Sequence, residues 1–336
     1  EESLCKWFAM KIGFNDFSGG IAASGGTLSN LNALIAARNN AGLGSNPNSV
    51  LLVSEDAHSS FVKCIRVMGL DTKNLVKITT DNQGRMDIND LRNSLDKCSI
   101  ENKKIFAIVA TLGTTVRGAI DPIKEISEIC KERKIWLHID GSIGGIFAIT
   151  SIPIEGLNNI NQANSITINP QKIIGISKTS SLLLVSNMST LENTFNTGLP
   201  YISSKENIIN RGEIGIQGSR PAEVIKLWLG LRFLGINGIE NILKSSIERK
   251  DFFVKNISKN KFDIYSGPLH IVSFLPNKLE HKDSDAWTKT KVNELINNNF
   301  MLSRPKFKGK YFLRVVMGNY NTKESHIEEL LKLLDA

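Results

Sequence analysis

Apolar runs that alternate with helical patterns dominate the first half of the chain. Residues 49–54, 104–111 and 135–140 are short apolar runs, typical of strands that are buried on both faces of a sheet. Residues 122–133 lie between two of these runs and carry a helical pattern that starts with a proline. This strand–helix–strand unit predicts an α/β fold with a mostly parallel sheet covered by helices.

Further elements extend the same pattern on both sides of this unit. Leu28, Leu31, Leu34 and Ile35 have helical spacing and follow the glycine-rich turn 24–27, which predicts a helix that starts at the turn. We also predict a helix over residues 57–68, a helical turn over 90–95, and strands over 75–78, 165–169 and 181–185.

A long polar segment separates this part from the rest of the chain. Residues 186–210 are polar and rich in asparagine, and a loop of this length in a compact domain is often a functional lid. We predict a large domain over residues 1–235 and a small α+β domain over residues 236–336. The domain boundary falls along a predicted helix from 221 to about 249. The small-domain elements beyond this helix are strands at 262–265, 270–274 and 311–316, and helices at 286–297 and 322–334.

Composition places the 336 residues among ordinary globular chains, with 41% hydrophobic and 22% charged residues. The apolar runs fall short of a membrane span, so we expect no membrane partner. The net charge of +8 is spread along the chain, and the basic cluster 304–310 fits a solvated turn between strands better than a nucleic-acid contact. Four cysteines without metal spacing indicate reduced thiols in a cytoplasmic protein, with no metal site. The opening Glu1 suggests no signal peptide.

Three features carry candidate chemistry. Gly25 and Gly26 precede a helix N-terminus, where backbone N–H groups and the helix dipole favour an anion, although the same pattern also fits a simple helix cap. Asp140 ends a buried strand at the edge where α/β sheets bind ligands, or it caps the next turn. Lys172 follows another strand, where desolvation suits a Schiff-base lysine, unless it is a surface lysine.

These features belong to a wider resemblance. The chain resembles the group II pyridoxal-phosphate decarboxylases, which include glutamate, aromatic-amino-acid, histidine and 2,4-diaminobutyrate decarboxylases. The resemblance implies a fold-type I domain, pyridoxal 5'-phosphate as cofactor, decarboxylation of an L-amino acid, and a homodimer. It continues to residues 313–315 and rests on six ordered blocks: 24–38, 58–60, 110–115, 119–122, 136–140 and 169–172.

The resemblance also implies roles for individual residues. Lys172 matches the lysine that holds the cofactor, Asp140 the carboxylate that pairs with the pyridine nitrogen, and His58 the imidazole that stacks on the ring. Tyr201 looks like the loop tyrosine that returns a proton after carbon dioxide leaves, although it also fits an ordinary loop aromatic. The other implied cofactor-binding positions are Gly26, Thr27, Thr115, Ser142, Asn169 and Gln171.

The chain departs from the family pattern at two places. Gln171 stands where the family usually has histidine, and Gly141-Ser142 stands where it has two alanines. A further N-terminal segment of the family is absent from this sequence. Two alternatives remain open: another pyridoxal-phosphate reaction (transamination, a desulfurase-like reaction or an aldehyde-forming one), and a non-catalytic relative. Tyr201 argues against the aldehyde-forming reaction, because such relatives typically have phenylalanine there. The substrate amino acid stays open.

Overall fold

The computed structural model describes residues 1–178, 180–198 and 210–335. The first part contains α1 Glu2–Lys11, β1 Gly19–Ala23, α2 Gly26–Asn40, β2 Ser49–Ser54, α3 Ser60–Val67, β3 Leu75–Ile78, α4 Ile88–Ile100, β4 Lys104–Thr111, α5 Ile123–Arg133, β5 Trp136–Gly141, β6 Ser165–Ile168, β7 Ser181–Val185 and α6 Ser189–Phe195. The second part contains α7 Val224–Asn256, β8 Phe262–Ser266, β9 Ile271–Pro276, α8 Ser284–Asn297, β10 Lys306–Phe307, β11 Lys310–Tyr311, β12 Leu313–Val316 and α9 Glu324–Asp335.

The first part is built on one mostly parallel sheet, as the sequence predicts. Within the described ranges, its strand order is β1–β7–β6–β5–β4–β2–β3. Strands β2 to β6 pair in parallel, and β7 pairs antiparallel with both β6 and β1. Because β4, β5 and β6 run in parallel, their carboxyl ends meet at one edge of the sheet, where ligands bind in such folds.

Both faces of this sheet are covered, which explains its unbroken apolar runs. On β2, Val50 and Leu52 pack into one apolar cluster, whereas Leu51 and Val53 pack into another on the opposite face. All four side chains are buried. Successive strand residues point to opposite faces, so a strand needs apolar residues at every position only when both faces are covered.

The second part forms a small antiparallel sheet with strand order β12–β9–β8. This sheet holds the loop that follows β4. The Gly267 N–H donates to the Arg117 carbonyl oxygen over 2.6 Å, and the Arg314 guanidinium donates to the carbonyl oxygen of Thr115. The small sheet therefore helps to position Thr115.

Two elements near the start of the chain were not predicted from the sequence. Helix α1 buries Cys5, Phe8 and Ala9, and strand β1 begins with two glycines, which are unusual in a strand. A Cβ atom at Gly20 would lie 2.2 Å from the Leu183 carbonyl oxygen on β7. The close approach of these two strands therefore requires a glycine, although glycine is a poor signal for a strand.

The helices over residues 57–68 and 90–95 have different limits from those predicted. Helix α3 begins only at Ser60, because residues 57–59 form a turn in which the His58 carbonyl oxygen accepts from the Phe61 N–H. Helix α4 is longer than the predicted turn, and the Asp87 side chain caps it by accepting from the Asp90 N–H over 2.9 Å. The polar composition of α4 gives only a weak helical pattern, whereas the Asp87 cap and the buried face stabilise the longer helix.

The prediction of one unbroken polar loop over residues 186–210 is wrong. Residues 189–195 form helix α6, whose Leu191 is fully buried. The Asn187 side chain accepts from the Ser189 N–H over 3.0 Å at the start of the helix. Phe195 packs against the same apolar cluster as Leu191, but two apolar residues in a polar segment give no periodic pattern.

Helix α7 is not the single straight helix that its pattern predicts. Gly235 interrupts it with φ of 62°, in the left-handed region that glycine readily adopts. Ile239 and Leu243 lie beyond Gly235, yet they pack into the core of the first part. The domain boundary at residue 235 stays a prediction.

The predicted strand 311–316 is divided at Phe312, whose N–H donates to the Pro305 carbonyl oxygen over 3.0 Å.

The other predicted strands and helices are confirmed to within two residues at each end. The basic cluster 304–310 contains the hairpin of β10 and β11, as expected for a turn between strands. Among the helices of the described ranges, none combines the length and the hydropathy that a membrane crossing requires.

Candidate active site

A cavity of about 190 Å³ lies at the carboxyl ends of β4, β5 and β6. Its lining includes every predicted site residue within the described ranges: Lys172, Asp140, His58, Gly26, Thr27, Thr115, Ser142, Asn169 and Gln171. The structure thus brings together residues that are far apart in sequence. Tyr201 lies outside the described residues, so its placement relative to the cavity stays a prediction.

Asp140 is held at the floor of the cavity by two donors. The Ser142 N–H donates to Oδ1 over 3.1 Å, and the Asn30 side-chain amide donates to Oδ2 over 3.1 Å. The side chain is buried. Asp140 therefore caps the following turn through Oδ1, which was one of the two alternatives from the sequence, and its carboxylate also lines the cavity.

Lys172 ends a 3₁₀ turn, Pro170–Lys172, that follows β6 directly. Burial of the ammonium lowers the pKa of Lys172; the nearby Asp140 carboxylate opposes this shift, and the Arg314 guanidinium adds to it. The side chain nevertheless reaches the open cavity. A lysine with a lowered pKa supplies more of the neutral amine, which is the nucleophilic form.

His58 enters the cavity from the turn before α3. Its Nδ1 accepts from the Ser60 N–H over 3.1 Å, so a neutral ring carries its proton on Nε2. Burial lowers the pKa of His58; Asp140 opposes this shift, while Lys172 and Lys63 add to it. The neutral imidazole is therefore favoured at neutral pH.

The N-terminus of α2 closes the opposite wall of the cavity. A Cβ atom at Gly26 would lie 2.7 Å from Asn169 Nδ2 and 2.7 Å from Ser142 Oγ, so only glycine lets the backbone come this close. The Ser181 hydroxyl donates to Asn169 Oδ1 over 2.5 Å, which directs the Nδ2 donor of Asn169 towards the glycine. Backbone and side-chain donors therefore converge at a helix N-terminus, an arrangement suited to an anion.

Gln171 is oriented by the residue that precedes β7. Its Oε1 accepts from the Ser180 backbone N–H, which leaves the side-chain NH₂ group as the end that can donate elsewhere. Because Gln171 also lines the cavity, it offers a donor whose charge does not change with pH. A histidine at this position would titrate near neutral pH.

Five cavity residues had no site role assigned from the sequence, although four of them lie in the matched blocks. Asn30 had a usable signal, since it lies one helical turn beyond Gly26 and Thr27 on the same predicted helix. Thr111 is the last residue of a predicted strand and could have been found by its place at the sheet edge. The complete set is Asn30, Ser60, Thr111, Gly113 and Ile143.

Comparison with known families identifies the class of this site. The family description "Pyridoxal-dependent decarboxylase conserved domain" matches residues 2–274. The chain belongs to this family. This decarboxylase therefore has pyridoxal phosphate as its cofactor, and the resemblance noted from the sequence is confirmed.

Curated relatives agree with this assignment. The aromatic-L-amino-acid decarboxylase of Bacillus atrophaeus is 29% identical over 345 residues, covering 99% of this chain and 71% of the relative. The acidic amino acid decarboxylase GADL1 of Xenopus tropicalis is 30% identical over 272 residues, covering 77% of this chain. The match spans 53% of that relative's length, about half of it.

Solved structures confirm the fold-type I architecture. Oryza sativa TDC with PLP and tryptamine superposes with a TM-score of 0.91 at 19% identity, covering 99% of this chain and 74% of that chain. Mouse CSAD has a TM-score of 0.88 at 25% identity, with the same two coverages. At such low identity, the likeness establishes the arrangement of the elements and not the substrate.

Proposed function

We propose that this decarboxylase removes the α-carboxylate of an L-amino acid to give the amine and carbon dioxide, with Lys172 and Asp140 as its central residues. One observation carries the proposal. A single cavity combines a lysine of lowered pKa, a carboxylate that accepts two hydrogen bonds, and a helix N-terminus suited to an anion. This is the combination that a phosphorylated pyridine aldehyde needs for attachment, charge pairing and phosphate binding.

Two further features of the cavity fit this cofactor. The hydroxyl oxygens of Ser60 and Thr111 are buried without a hydrogen-bond partner in the described part of the chain, and both residues line the cavity. Buried hydroxyl groups are normally satisfied, so such atoms favour a polar ligand. The close approach of the Gly26 backbone to Asn169 provides room and donors for a phosphate group.

Each residue then has a definite task. Lys172 would hold the cofactor covalently through its amine, Asp140 would accept from the ring nitrogen, and His58 would lie against the ring. Gly26, Thr27 and Asn169 would bind the phosphate, with Thr115, Ser142 and Gln171 as further contacts. When bound, pyridoxal phosphate supplies an electron sink for the cleavage of the carbon–carbon bond.

The proton that replaces the carboxylate needs a donor, and we assign this task to Tyr201. The assignment is supported by sequence alone, because this residue lies outside the described ranges. A phenol that closes over the site would deliver the proton and keep water away from the reacting carbon.

A substrate panel tests the proposed reaction. The protein loaded with pyridoxal phosphate is incubated separately with acidic, aromatic, basic and diamino acids, and both carbon dioxide and the organic product are quantified. We expect at least one amino acid to give amine and carbon dioxide in equal amounts. Release of an aldehyde and ammonia, or turnover without carbon dioxide, would contradict the proposal.

The glycine at the helix N-terminus gives a prediction about the cofactor. In Gly26→Ala the new methyl group collides with Asn169 and Ser142, so we expect the affinity for pyridoxal phosphate to fall about tenfold or more. Gly25→Ala is the matched control: its Cβ meets no described atom within 4 Å, and its φ of 167° is extended backbone. Equal affinities of the two variants in fluorescence titrations would contradict this prediction.

We also propose that the enzyme is a cytoplasmic homodimer. The four cysteines are free and buried, which supports a reducing compartment. The first half of α7 exposes Ile225, Trp228, Leu229 and Phe233, and the Phe233 side chain is 90% exposed. Adjacent exposed apolar side chains favour a protein partner, and a second copy of the chain is the partner that the resemblance implies.

Sedimentation tests the dimer. We expect the wild-type protein to sediment as a dimer at micromolar concentration, and Phe233→Glu to shift the equilibrium towards monomer by placing a charge in the interface. Val67→Glu is a control, because Val67 is also exposed but lies on α3. A fully active wild-type monomer at this concentration would exclude the proposal.

A further inference from the structure

A continuous row of buried polar groups runs beneath the cavity and ends at Asp140. Trp136, His138 and Asp140 occupy alternate positions of β5 and therefore lie on one face of the sheet. Ser165 is the partner of His138 on the neighbouring strand β6, and Asn30 reaches the row from α2. All five residues are at most 6% exposed.

Four hydrogen bonds connect these groups without a break. They are Trp136 Nε1 to Ser165 Oγ at 2.8 Å, Ser165 Oγ to His138 Nδ1 at 2.8 Å, His138 Nε2 to Asn30 Oδ1 at 3.0 Å, and Asn30 Nδ2 to Asp140 Oδ2 at 3.1 Å. Buried polar networks of this kind are specific when every member is satisfied.

The direction of every bond follows from the two ends. An indole N–H can only donate, and a carboxylate can only accept. Asn30 therefore turns its NH₂ group to Asp140 and its oxygen to His138, which requires a proton on His138 Nε2. Burial lowers the pKa of His138 to about 4, with Asp140 opposing the shift, so the ring is neutral and its Nδ1 accepts from the Ser165 hydroxyl.

We propose that Asn30 is a positioning residue that locks Asp140 in the orientation required to accept from the cofactor ring nitrogen. The lock works because the Nε2–H of His138 prevents the Asn30 amide from flipping, so a donor always faces Asp140 Oδ2. The Ser142 N–H holds the other oxygen. Trp136 and Ser165 do not contact Asp140. The indole N–H donates to Ser165 Oγ, and the Ser165 hydroxyl donates to His138 Nδ1, which keeps the His138 proton on Nε2.

This inference rests on the proposed function, because the lock matters only if Asp140 meets the ring nitrogen. It assigns Asn30 no contact with the reacting atoms. The Asn30 amide keeps the Asp140 carboxylate in place, which would otherwise rotate or bind water. Removing Asn30 should therefore weaken the recognition of the ring nitrogen in particular, and not the binding of the cofactor in general.

The test compares pyridoxal phosphate with an analogue in which carbon replaces the ring nitrogen. Dissociation constants of both are measured for the wild type, Asn30→Ala and Asn32→Ala. Asn32 is the matched control: it is equally buried on α2, and its side chain accepts from the Ile216 N–H over 3.0 Å, away from the row. Both variants lose a buried asparagine, so a purely structural effect should appear in both.

We expect the wild type and Asn32→Ala to bind pyridoxal phosphate about tenfold or more tightly than the analogue, as for hydrogen bonds between charged groups. Asn30→Ala should bind the two with nearly equal affinity. If Asn30→Ala keeps the wild-type preference, the positioning role is excluded while the proposed function stands. If the wild type itself shows no preference, the pairing of Asp140 with the ring nitrogen is wrong, and the inference fails with it.

A second measurement reads the state of the row in the wild-type protein. Nitrogen-15 spectra of histidine-labelled protein without cofactor report the tautomer of each ring, and His138→Gln identifies the signal. We expect His138 to be a neutral Nε2–H tautomer at neutral pH. An Nδ1–H tautomer would leave Nε2 without a proton, reverse the bond to Asn30 and overturn the proposal.

Discussion

Replacing Lys172 with alanine is expected to abolish turnover, by about a thousandfold or more, and to remove the long-wavelength absorbance of the bound cofactor. Among the described residues that line the cavity, Lys172 is the only one whose side-chain amine can form a Schiff base with the aldehyde group of the cofactor. Its lowered pKa provides the neutral amine that this bond requires. Lys172→Ala should still fold, because the side chain reaches an open cavity and not the core.

Borohydride reduction followed by peptide mapping checks this result. The wild type should carry the reduced cofactor on the peptide that contains Lys172, and Lys172→Ala should carry none. Lys178→Ala is the control, because Lys178 lies on the same connection towards β7 but is exposed and outside the cavity lining. A label on another lysine would show that the assignment of Lys172 is wrong.

Asp140→Asn is expected to lower turnover by about a hundredfold to a thousandfold, the usual effect of removing one electrostatic contact in an active site. An amide cannot keep a proton on the ring nitrogen, so the cofactor accepts electrons poorly. Either orientation of the new amide also directs its NH₂ group at a donor, the Asn30 amide or the Ser142 N–H. Cofactor affinity should fall by less than turnover.

Steady-state kinetics and cofactor titrations together check this prediction. Asp90→Asn is a suitable control, since the Asp90 carboxylate also accepts two hydrogen bonds, from the N–H and the hydroxyl of Thr79, both over 2.7 Å. It lies on α4 and not in the cavity lining, so its turnover should stay close to wild type. Near-normal turnover of Asp140→Asn would exclude the proposed role of the carboxylate.

Much of the α/β architecture was determined locally by the sequence. The apolar run of β4 and the helical pattern of α5 are properties of short segments: an unbroken apolar stretch indicates a strand buried on both faces, and a 3.6-residue period indicates a helix with one buried face. The prediction of one site from Asp140 and Lys172 had a similar basis, because both follow buried strands whose carboxyl ends meet at one sheet edge.

Other features depended on contacts that no local pattern encodes. Strand β1 needs Gly20 because β7 passes so closely and Gly19 because the Met188 side chain lies against it. The break in α7 depends on one left-handed residue, Gly235. Helix α6 depends on the packing of Leu191 and Phe195 against residues of β1, α2 and β7. For β1 and α6 the deciding contacts are with residues distant in sequence, whereas a sequence pattern describes only the preferences of the segment itself.

The row of buried polar groups beneath the cavity also depends on contacts between residues that are distant in sequence. From the sequence, Asp140 was a candidate site residue, whereas Asn30 lay within a matched block and had no role of its own. Asn30 is 110 positions from Asp140, and Ser165 is 27 positions from His138. The sequence by itself determined which groups could ionise, donate or accept. Only the packing of α2 on β5 and β6 decided their partners, because a hydrogen bond requires two atoms within about 3 Å and in line.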